Sequence, residues 1–142
     1  MAEHASQRFG GEALLPLQYF RRLRARGVEA WLVVHERTRD ELVELLGEDI
    51  CRVRFVSDRP LQQVSSRLNE RTGYSHFTLP LGMTAHLVTQ LDLRRAVRTL
   101  IREVAATVVH EPMPVSPKAP SLMHGLGVPV IIGPMNGGMS AP

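Results

Sequence analysis

His110 and Glu111 open the stretch of this chain richest in groups able to do chemistry, His110-Glu111-Pro112-Met113-Pro114-Val115-Ser116-Pro117-Lys118-Ala119-Pro120-Ser121. An imidazole, a carboxylate, an amine and two hydroxyls lie within it. Its prolines cannot continue a helix or a central strand, because proline lacks the N–H and fixes φ. A stiff loop between two buried elements holds polar groups still, so this loop is the first candidate site. Gly10-Gly11, ahead of Glu12, is the second. Paired glycines opening a helix let backbone approach a phosphate, and the helix N-terminus favours the negative charge. Asn136-Gly137-Gly138 is a third short motif, on its own a turn. Lys118 taken alone is a solvated loop lysine.

The tetrad Val33-Val34-His35-Glu36 recurs as Val108-Val109-His110-Glu111. Each copy ends an apolar run, and in open α/β sheets ligands sit outside the carboxyl ends of the strands. Either histidine also has a plainer reading, a strand-end ring bonded to a nearby carbonyl.

The elements that must position these groups follow from periodicity. Glu12 to Arg26 is helical, with Leu14, Leu15, Leu17, Tyr19, Phe20 and Leu23 largely on one face, Pro16 near the first turn and Gly27 as the stop. Val28 to Val34 is a strand. Thr38-Arg39-Asp40-Glu41 has capping-box spacing ahead of a short helix ending at Gly47. Arg52 to Val56 is a strand near the sheet edge, with Cys51 a small buried hydrophobe at its start. Pro60 to Arg71 is a further helix and Gly73 to Gly82 a loop. Met83 to Val104 is a long helix turning Leu87, Leu91, Ala96 or Val97, Leu100, Ile101 and Val104 inward, with Arg94, Arg98 and Arg102 as a polar stripe. Thr107 to Val109 and Val128 to Ile132 complete the strands. Continuous apolar strands alternating with helices predict an α/β fold, a Rossmann-like parallel sheet with helices on both faces.

One strand is short of residues. In such folds the Gly-Gly loop follows a buried strand, yet only Met1-Ala2-Glu3 could serve as its tail. In the usual order 3-2-1-4-5 that first strand is central. Burying five or six apolar side chains there would contribute roughly 8–15 kcal/mol, comparable to the net stability of about 5–15 kcal/mol of a whole domain. The chain therefore reads as a fragment of a longer protein, lacking its first, central strand.

Composition excludes several classes. Apolar residues make up 44% of 142, enough to bury a core. No run reaches the roughly 18 apolar residues of a membrane span, and the N-terminus has no signal core, so the expected setting is cytoplasmic. The net charge of +3 comes almost wholly from arginine, and aromatics are 5%, so no nucleic-acid partner is expected. The arginines gather at Arg21, Arg22, Arg24 and Arg26 and at Arg94, Arg95, Arg98 and Arg102. Their plain reading is a solvated helix face. The sharper one is attraction to a phosphorylated substrate or peripheral contact with an anionic inner membrane face. The histidines show no metal-ligand spacing.

Three motifs in order carry a resemblance that spans nearly the whole chain. Phe9-Gly10-Gly11-Glu12, His110-Glu111-Pro112 with Ala119-Pro120-Ser121, and Gly127-Val128-Pro129-Val130-Ile131-Ile132-Gly133-Pro134-Met135-Asn136-Gly137-Gly138 resemble the N-terminal domain of GT-B-fold glycosyltransferases. The subgroup they are similar to is the retaining enzymes of glycosyltransferase family 4. The resemblance implies the acceptor-side half of such an enzyme, moving a sugar from a nucleotide-sugar donor to a carbohydrate or lipid-linked acceptor without a metal or other cofactor. It implies a catalytic role for His110, beside the transferred sugar. Gly10 and Gly11 would then approach the donor diphosphate. Glu111, Lys118 and Ser121 would position substrate, and Asn136, Gly137 and Gly138 would line the cleft near the acceptor. Family members hold the donor mainly on a second Rossmann-like domain through a Glu-x7-Glu motif with no counterpart here, so the isolated chain is expected to be inactive. The alternatives are a non-catalytic remnant, or a partner-binding Rossmann-like domain. A dinucleotide-binding enzyme is disfavoured, because Gly10-Gly11 lacks the third glycine of the fingerprint.

Overall fold

The computed structural model describes residues 1–8, 10–57, 78–112 and 121–134. The chain is α/β. Helix α1 (Gly10–Ala25) leads to strand β1 (Leu32–His35), a short turn of 3-10 helix, helix α2 (Arg39–Leu46) and strand β2 (Val53–Val56). Helix α3 (Thr78–Val104), strand β3 (Val109–Glu111) and strand β4 (Val130–Ile132) follow. β1 pairs with β2 and β3 with β4, both in parallel, as two separate two-stranded ladders.

The N-terminal residues join these ladders. Ala2 N donates to Val33 O at 3.0 Å, and His35 N donates to Glu3 O at 3.2 Å. On the other side the Met1 nitrogen donates to His110 O at 2.6 Å. Met1–Glu3 thus lies between β1 and β3, and the spatial order is β2, β1, Met1–Glu3, β3, β4.

Helices cover both faces of β1. Leu32 and Val34 pack with Leu17, Phe20 and Leu42 from α1 and α2. Val33 packs on the opposite side with Leu93, Val97 and Leu100 of α3 and with Val109. This alternation follows from the two-residue period of a strand. β1 is buried throughout, as a central strand requires. β4 is not, and leaves Ile131 56% and Ile132 40% exposed.

Several expectations need correction. The strands expected from Val28, Thr107 and Val128 form only from Leu32, Val109 and Val130. The loop expected over Gly73 to Gly82 is helical from Thr78, with Pro80 in the first turn of α3, where its missing N–H costs nothing. Residues 73–77, and the helix expected over Pro60 to Arg71, lie outside the described residues. α1 starts at Gly10, so Pro16 sits two residues deeper than its sequence suggested, in the second turn, and is buried there. Cys51 is exposed rather than buried. It stays on the 3-10 turns Gly47–Arg52, because β2 begins at Val53. On α3 Leu91 is 43% exposed, and the buried line runs through Leu93, Val97 and Leu100.

The capping box also works differently. Thr38 precedes α2 without a side-chain cap, and its hydroxyl donates to His35 O instead. Glu41 turns to the N-terminal segment, accepting from Ser6 Oγ at 2.6 Å and Gln7 N at 2.7 Å. Ser6 is fully buried, so this clasp fixes the turn that feeds α1.

Candidate functional site

The parallel strands end at one rim, and the two His-Glu pairs arrive there in opposite states. At the end of β1, His35 is buried and its Nδ1 accepts from Arg37 N at 3.3 Å, capping the 3-10 turn. Glu36 faces water. A hydrogen bond from Ser57, with Arg39 alongside, holds its carboxyl below the usual range. At the end of β3 the burial is reversed, with His110 half-buried and Glu111 fully buried.

His110 is positioned from two sides. A carbonyl only accepts, so its Nε2 carries the proton in the 2.7 Å hydrogen bond to Gly133 O. In the neutral ring the lone pair then lies on Nδ1. Tyr19 of α1 meets the imidazole edge-on, with ring centroids 4.8 Å apart. Gly133 N donates to Glu111 O at 2.9 Å, so both residues of the His-Glu pair clasp Gly133. Its φ of +120° suits glycine.

Glu111 is engaged inside the chain. It accepts from Ser121 Oγ and faces the Met1 ammonium. Ser121 Oγ accepts in turn from Met123 N at 3.2 Å. The bond between Glu111 and Ser121 ties the segment after the proline-rich loop back onto β3. Arg94 and Arg98, expected as part of a polar stripe, hold the same segment from α3. Arg94 donates to Leu122 O, and Arg98 to Gly125 O at 3.4 Å.

Gly10 and Gly11 stand exposed at the N-terminus of α1. Gly10 has φ +84°, a conformation side chains rarely adopt, while a Cβ at either position would meet nothing within 4 Å. The helix start is therefore open to a ligand. Lys118, Asn136, Gly137 and Gly138 lie outside the described residues, as does Phe9. Among the described residues no cluster of three metal-ligating side chains forms.

Sequence reasoning named Met1-Ala2-Glu3 as a strand tail but missed two contributors, the Glu41 clasp and the Tyr19 contact. Only Glu41 carried a local signal, its capping-box spacing, and that pointed to the wrong partner. No protein-family model, curated protein or solved structure matches the chain. None of the described helices is long and apolar enough to cross a membrane.

Proposed function

We propose that this chain is the acceptor-side, Rossmann-like N-terminal half of a retaining GT-B-fold glycosyltransferase. It contributes to sugar transfer from a nucleotide-sugar donor to a carbohydrate or lipid-linked acceptor, with the donor held mainly by a second domain. The observation that carries this reading is the clasp of His110 and Glu111 on Gly133 at the end of β3. It unites two of the three motifs on which the family resemblance rests.

In this reading His110 is an orienting group, not a nucleophile. Its Nε2–H is committed to Gly133 O, which leaves the Nδ1 lone pair to accept from a sugar hydroxyl. The N–H groups at Gly10, Gly11 and the start of α1 offset the charge of the departing diphosphate. Lys118 and Asn136-Gly137-Gly138 complete the substrate contacts, while the hydrogen bond from Ser121 fixes Glu111 at the end of β3.

The test is thermal unfolding with a panel of nucleoside diphosphates and nucleotide sugars. One nucleotide should raise the midpoint, with about 2.7 kcal/mol of added stability at a hundred times its Kd. The variant Gly11→Asp should fold at least as well, because an acidic first turn suits the helix dipole, yet lose that shift by repelling phosphate. A flat panel, or a shift that survives Gly11→Asp, overturns the proposal.

A further inference from the structure

Two arginines of α3 are held against the same piece of chain. Arg94 and Arg98 lie four residues apart, so their side chains are neighbours on one helix face. Both reach across to the segment that leads into β4, Arg94 donating to Leu122 O and Arg98 to Gly125 O at 3.4 Å. The Arg94 guanidinium also lies beside Gly125, where an added Cβ would stand 3.8 Å from its Nη2. His124, between the two accepting carbonyls in sequence, is exposed.

The charges of this pair are not answered as those of other arginines are. Arg24 pairs with Asp49 at 2.9 Å, Arg54 with Glu103 at 3.0 Å and Arg95 with Asp92 at 3.0 Å. Among the described residues no carboxylate stands within ion-pair distance of Arg94 or Arg98. Their bonded partners are carbonyls, which fix the guanidinium groups without neutralising them. Like charges at this spacing repel on a helix, and Arg94 is half-buried, so water screens its charge only in part. Holding two carbonyls needs donors but no charge. Each guanidinium has five N–H donors and is bonded through one nitrogen.

We propose that Arg94 and Arg98 form an anion clamp for a phosphate monoester. Such a group carries close to two negative charges near neutrality, which matches the pair, and its oxygens suit the planar guanidinium fork. The carbonyls of Leu122 and Gly125 hold both forks in place before the ligand arrives, which lowers the ordering cost of binding. The clamp uses neither His110 nor the start of α1, so the proposal does not rest on sugar transfer.

Calorimetric titration of the full chain at low salt tests it, with inorganic phosphate, glucose 6-phosphate and vesicles containing phosphatidic acid as probes. Saturable binding of a soluble phosphate is expected, about tenfold or more weaker in Arg94→Gln and in Arg98→Gln, since each loses a charge-assisted hydrogen bond. It should survive Gly11→Asp, which makes the start of α1 repel phosphate. Tighter binding of glucose 6-phosphate than of phosphate supports the clamp with a sugar phosphate as its ligand. Tighter binding of the vesicles, with the same dependence on both arginines, supports it with a lipid headgroup. No saturable binding of either soluble probe overturns the proposal, and this outcome needs only the unaltered chain. Binding that is unchanged in both arginine variants, or that is lost in Gly11→Asp, also overturns it by placing the phosphate elsewhere.

Discussion

Burial takes the Met1 amine down from 8.0 to about 6, while the Glu111 carboxylate opposes the change. The folded chain therefore binds fewer protons than the unfolded chain between those two values. Stability must rise with pH across that window, and the full cost of the buried ammonium persists below about 6. Two pKa units correspond to about 2–3 kcal/mol. Urea midpoints measured from pH 6 to 8 should climb by that amount, and acetylating the Met1 amine should remove the slope. At this scale the sequence marked His110, Glu111, Gly10 and Gly11 as chemical groups, because residue types are what a sequence states outright. It did not show that Glu111 is spent on Ser121, or that His110 is held by Gly133 and Tyr19. Those partners are brought close only by the chain's path.

Helix α3 shows how far periodicity reaches at the scale of an element. Its existence and end were legible, but its inward face was drawn partly through Leu91. Leu91 precedes Leu100 by nine residues, which at about 100° per residue is half a turn out of phase. Leu93, fully buried, precedes Leu100 by seven and shares its face. Leu93→Ala should therefore cost about 2–5 kcal/mol and Leu91→Ala within about 0.5 kcal/mol, as urea denaturation would report. Strand limits were less legible than helix limits. An apolar run shows what can be buried, whereas a strand begins only where another backbone accepts its hydrogen bonds.

At the scale of the whole molecule, β1 belongs to two cores at once, Val34 facing one and Val33 the other. Losing either core strips β1 of a face, so the two should unfold together. Trp31 emission and far-UV ellipticity should give coincident denaturation midpoints, and Val34→Ala should lower both equally. Amino-acid order alone determined the α/β class, the helices among the described residues and the stop at Gly47. These depend on side-chain period, glycine and proline, which act within a few residues. Tertiary structure alone decided that Met1–Glu3 would bridge the two ladders and that Glu41 would hold Ser6 and Gln7. Backbone hydrogen bonds are the same for nearly every residue type, so the choice of their long-range partners leaves no mark in the sequence that makes them.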